Sequence, residues 1–65
     1  MLVRTKKVTS YEGGEFKTIE YVFNSDSIDD MFEAGQGTMV TINNCLVHIL
    51  FDFKKLCNLL DVRDV

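Results

Sequence analysis

A chain of 65 residues, 46% hydrophobic and 26% charged, sits near the lower size at which one apolar core holds a fold unaided, which implies a single domain over residues 1–65. No apolar run approaches the ~20 residues that span a bilayer, and the amino terminus lacks the apolar stretch of a secretion signal, so a soluble, globular, cytoplasmic protein with no membrane span is expected. The formal charge of −3 weighs against a main role in gripping phosphates, because non-specific nucleic-acid affinity comes from neutralising backbone charge.

In chain order, "LVRTKKVTSY" (2–11) and "FKTIEYVF" (16–23) are rich in β-branched and aromatic residues and flank "EGGE". Two glycines supply the positive φ that a tight hairpin needs, so a β-hairpin is predicted. With Gly13 and Gly14 as the loop, Lys7 falls opposite Glu20 and Val8 opposite Ile19. Val8, Ile19, Tyr21 and Phe23 then mark the buried face, and Arg4 and Lys6 share it awkwardly. The basic residues Arg4, Lys6 and Lys7 read as a solvated strand edge that discourages aggregation. A nucleic-acid site built from them with Tyr21 is the weaker alternative.

"NSDSIDDMFEAGQG" (24–37) follows. Asn24, Ser25 and Asp26 are helix-capping residues, acids suit a first turn, and Gly35 and Gly37 are stop signals. Ile28, Met31 and Phe32 recur at i, i+3 and i+4, so a short helix over 26–34 is predicted, packing one face on the sheet and leaving Asp29, Asp30 and Glu33 in water. That acidic surface is either plain solvation or a face offered to a basic partner.

"TMVTI" (38–42) and "CLVHILF" (45–51) read as two strands joined by Asn43 and Asn44, a pair suited to a two-residue turn with positive φ at both centres. The turn fixes Ile42 opposite Cys45, Val40 opposite Val47 and Thr38 opposite Ile49, and makes that face the core. The other face carries Met39, Thr41, Leu46, His48 and Leu50. A half-exposed strand should alternate apolar with polar, and 45–51 does not. Leu46 and Leu50 therefore need cover, and an exposed patch of this kind marks a protein-binding or self-association surface. The last segment, "FKKLCNLLDV" from Phe53, has Asp52 as N-cap and the stripe Phe53, Leu56, Cys57, Leu60, which predicts an amphipathic helix that closes the core.

The predicted fold is thus α+β: a small antiparallel four-stranded sheet from two β-hairpins, a short helix between them, and a C-terminal helix packed on one face. Cys45 and Cys57 are too few and too far apart for a metal pattern, and His48 has no second ligand at useful spacing. Both cysteines read as small apolar fillers. No glycine-rich phosphate loop, activated nucleophile or pair of carboxylates across a cleft is evident, so no catalytic, cofactor or metal residue is assigned.

From residue 21 onward the order of elements resembles the small flagellar FlbD/SwrD-like family. The matching residues are "VFN" (22–24), "DSI" (26–28), "TMVTINN" (38–44) and "LVHI" (46–49), followed by the Phe53 to Leu60 stripe. The resemblance implies a cytosolic, non-catalytic accessory protein that acts on a larger machine through a protein contact. Two functional expectations stand: an accessory or adaptor domain that self-associates, as a homodimer, through the outer face of the 38–51 hairpin, and a phage or mobile-element inhibitor that binds a host protein through Asp29, Asp30 and Glu33.

Overall fold

A computed structural model describes residues 1–61. Both predicted two-residue turns are present: Gly13 and Gly14 have φ of 59° and 82°, and Asn43 and Asn44 have φ of 51° and 65°. Positive φ at both turn centres matches the right-handed twist of the flanking strands. The first turn joins β1 (Leu2–Glu12) to β2 (Glu15–Asn24); the second joins β4 (Thr38–Ile42) to β5 (Cys45–Ile49).

Between these hairpins the chain departs from expectation. Residues Ser25–Ser27 form one 3-10 turn, with the Asn24 side chain accepting from the Asp26 amide, and Ile28–Glu33 form a further strand, β3. The capping signals around Asn24 are therefore used, but by a single turn. The i, i+3 spacing of Ile28 and Met31 has a different cause. β3 pairs with β4 as Ile28↔Ile42, Asp30↔Thr41 and Met31↔Val40, with Asp29 as an extra residue. A bulge of one residue brings positions three apart onto the same face of a strand, which imitates helical periodicity. Ile28 and Met31 pack against the core, while Phe32 points to the opposite face and is exposed.

The described residues thus form a mostly β molecule, a five-stranded antiparallel sheet with one C-terminal helix, in place of four strands and two helices. The strand order is β2-β1-β5-β4-β3, so β2 and β3 are the edges. Acidic side chains on the edge strand β3 discourage pairing with another chain.

A second bulge corrects the first hairpin. The pairing shifts between Val8 and Ser10, so that Lys6↔Glu20, Lys7↔Ile19 and Val8↔Thr18 are partners. The extra residue, Thr9, donates its hydroxyl to the Lys17 carbonyl at 3.1 Å. Val3, Thr5 and Lys7 consequently share the inner face with Phe23, Tyr21 and Ile19, and Arg4 and Lys6 leave it. Val8 goes with them to the outer face. Lys7 is accommodated on the inner side by placing its ammonium 5.4 Å from the centre of the Tyr21 ring, a favourable cation–π position.

β4 and β5 pair in the predicted register, from Thr38↔Ile49 to Ile42↔Cys45. β5 then meets β1 at Lys7↔Ile49, supported by the Leu50 amide donating to the Lys6 carbonyl at 2.9 Å. Helix α1 (Phe53–Leu59) starts at its predicted cap: an Asp52 carboxylate oxygen accepts from the Lys55 amide at 3.0 Å. Val62, with which the predicted helical segment ends, lies outside the described residues. Leu56 of α1 is fully buried among Val3, Phe23, Val40, Val47 and Ile49. The helix therefore covers the Val40/Val47/Ile49 side of the sheet, which settles the face that the apolar run 45–51 leaves ambiguous. Thr38 is buried on the same side and donates its hydroxyl to the Phe51 carbonyl at 2.7 Å, tying the strand to the segment that leads into the helix.

Candidate interaction face and the cleft beside it

With α1 on the inner side, the outer side of the sheet carries no helix among the described residues. The register assembles its centre from three strands: Met39 lies opposite His48, Thr41 opposite Leu46, and Phe32 opposite Met39. Met39, Thr41 and His48 are half-buried by their neighbours, whereas Leu46 and Leu50 are exposed, Leu46 at 60%. Met39, Thr41, Leu46 and His48, four of the five residues assigned from the sequence to this face, are thus paired on it, and Leu50 follows β5 at an exposed position past the last paired residue.

Two further exposed side chains extend the face beyond what the sequence suggested. Phe32, 52% exposed, is expected from its spacing on the inner side of a helix, and Val22, 56% exposed, lies on the outer side of β2 opposite Arg4. Strand alternation from Met31 would have sent Phe32 outward once β3 was recognised as a strand. Between Val22 and the β5 residues, the face is interrupted by an Arg4–Glu20 ion pair at 3.3 Å. Both of its side chains are more than half exposed, so the pair contributes little to stability.

The acidic residues are placed differently from expectation. Asp29, Asp30 and Glu33 are exposed, as predicted, but on an edge strand and not on a helix. Asp29 and Asp30 border a shallow groove of about 330 Å³ between β3 and α1, floored by Met31 and Phe53 and reached by Cys57. Glu33 sits at the far end of β3, opposite Thr38, and does not line that groove. Cys45 is exposed and Cys57 half-buried, both as free thiols, so the filler role does not hold for Cys45.

At the loop end of the outer face lies a larger cleft, about 790 Å³, between the β1–β2 turn and the β3–β4 loop. Its walls are Tyr11, Phe16 and His48, with Glu15 and Gln36 at the sides. Tyr11 and Phe16 meet edge to face at 5.2 Å between ring centres, and Phe16 meets His48 in the same manner at 5.2 Å. The Gln36 carbonyl bonds to His48 Nε2. Gly37 makes this approach possible. It has φ of 78°, and a Cβ there would run into the Ile49 carbonyl oxygen, so only glycine lets the β3–β4 loop fold this closely over the end of β5. The sequence hints at this site only through Tyr11 and Phe16 flanking a two-glycine turn.

Among the described residues, no group of three or more His, Cys, Asp and Glu side chains is placed to hold a metal ion, and no helix is long and apolar enough to cross a membrane. Compared with known proteins, the chain matches no family model, no curated protein and no solved structure.

Proposed function

We propose that this protein is a non-enzymatic interaction module that works through the outer face of its sheet, and that the first occupant of that face is a second copy of the chain. The observation that carries the proposal is the unequal treatment of the two sheet faces: α1 covers one, and the other presents Leu46 and Phe32 beside Met39 and His48, with Leu50 exposed after β5 and no cover from the other described residues. A contiguous apolar patch on a protein this small marks a contact surface. Self-association is favoured because a 65-residue core is marginal, and a second copy supplies the burial that the single chain lacks. A two-fold contact would set this same patch of each copy against the other. An accessory role of this kind is the one that the resemblance to the FlbD/SwrD-like family implies.

The test is the replacement Leu46→Asp. Its side chain is exposed, so the folded single chain accommodates a carboxylate there. Sedimentation velocity should show the wild-type dimer lost in the variant while far-ultraviolet circular dichroism is unchanged. Unfolding of the variant would assign Leu46 to the core instead, and an unchanged association state would remove the outer face from the contact.

A second reading rests on the Asp29/Asp30 groove. Two carboxylates beside an apolar floor of Met31 and Phe53 suit a basic partner with an apolar anchor. In an inhibitor of a host protein, the double change Asp29→Lys with Asp30→Lys would abolish capture of a basic partner and remove the salt dependence of binding.

A further inference from the structure

We infer that the cleft between the β1–β2 turn and the β3–β4 loop binds an organic cation, an alkylammonium group held against Tyr11, Phe16 and His48. Aromatic rings present a negative face and attract a cation that stands over them. Here Phe16 is flanked by Tyr11 and His48 with interplanar angles of 60° and 81°. The three rings are set at steep angles to one another and not in a flat stack. Tyr11 is 65% exposed at the tip of a ribbon, so burial does not account for an aromatic residue there.

No lysine or arginine is among the described residues that line the cleft. An anion would meet repulsion from the ring faces, and a cation meets attraction. His48 is fixed as a wall by its bond to Gln36. A carbonyl can only accept, so the proton of that bond is on Nε2. The fold already uses the same interaction internally, with Lys7 over Tyr21. The cleft is lined by three rings with no lysine or arginine among the lining residues, and its volume of about 790 Å³ lies within the range of small-ligand sites, ~300–1,000 Å³.

The alkylammonium group has two sources, a free small molecule or the lysine side chain of another polypeptide, and the experiment separates them. The full chain, isotopically labelled, is titrated at constant ionic strength with choline, with Nα-acetyl-lysine methylamide, and with 3,3-dimethylbutan-1-ol, the uncharged isostere of choline. Backbone amide shifts of Tyr11, Glu15, Phe16, Gln36 and His48 are followed. Saturable shifts with a cation, about two- to fivefold tighter than with the isostere, are expected from one favourable cation–π contact. Tighter binding of choline points to a free small molecule, and tighter binding of the lysine derivative to a partner's side chain.

Phe16→Leu should abolish binding. If Phe16→Leu does not fold, Tyr11→Ser at the exposed tip takes its place. Equal affinity for the isostere, or no saturable shift with either cation, overturns the inference. Running Leu46→Asp in parallel keeps this site distinct from self-association: binding retained in the variant supports a cleft made by one chain, and binding lost with the dimer contradicts it.

Discussion

The two faces of one sheet are built from neighbouring residues of the same strands, yet they meet different surroundings. On the inner face, Val40, Val47 and Ile49 close against Leu56 of the helix, and Ile49 and Leu56 retain no exposure. On the outer face, one residue away along each strand, Leu46 and Leu50 remain open to solvent. Apolar character alone therefore does not decide which side becomes the core. The decision is made by Asp52, which caps and starts the helix immediately after β5, and by the Thr38 hydroxyl, which holds the Phe51 carbonyl so that the helix is delivered to the inner side.

The contrast can be broken most strongly from the helix. Leu56→Ala empties the centre of the closed face and should cost about 2–5 kcal/mol, the range for removing a fully buried leucine side chain. Urea unfolding would measure it as a lower midpoint. Thr38→Val keeps the shape but removes the donor to the part-buried Phe51 carbonyl, a loss of about 0.5–1.5 kcal/mol by the same measurement. Asn43→Val puts a β-branched residue at φ of 51°, and should cost about 1–2 kcal/mol for the left-handed conformation alone. Because a slip of one residue exchanges the two faces of a strand, that variant should also broaden the amide resonances of β4 and β5. At the small end, Leu46→Asp should change the stability of the single chain, measured at concentrations too low for association, by no more than about 0.5 kcal/mol, as an exposed substitution does. A loss of several kcal/mol under those conditions would show that the single chain itself covers the outer face.

How much of this was legible in the sequence follows from where local chemistry decides the structure. The Asn43–Asn44 turn specifies its own φ values, and the register of β4 and β5, with the membership of both faces, comes from it. Asp52 and the Phe53 to Leu60 stripe specify the helix in the same local way. The two errors, a helix over 26–34 and the register of the first hairpin, have one cause. Each is a single-residue bulge, at Asp29 and at Thr9, that breaks period-two alternation. Nothing in a local window separates a bulged strand with inward residues three apart from one turn of amphipathic helix, and the strong caps at Asn24 to Asp26 added weight to the wrong choice. Pairing with β4 decides it, and that partner is provided only by the folded sheet. That Met39, Thr41, Leu46 and His48 share one face was legible because it depends on the register that the Asn43–Asn44 turn fixes. The aromatic cleft was not, because it joins Phe16 of β2 to His48 of β5 across a contact that no local signal announces.

The most direct test of an open outer face that pairs with a second copy is the molar mass in solution, measured by light scattering behind size-exclusion chromatography over a wide concentration range. The account predicts a mass approaching twice the 7.5 kDa of the single chain as concentration rises, and a return to the single-chain mass for Leu46→Asp. A wild-type chain that stays at the single-chain mass at every concentration would contradict it.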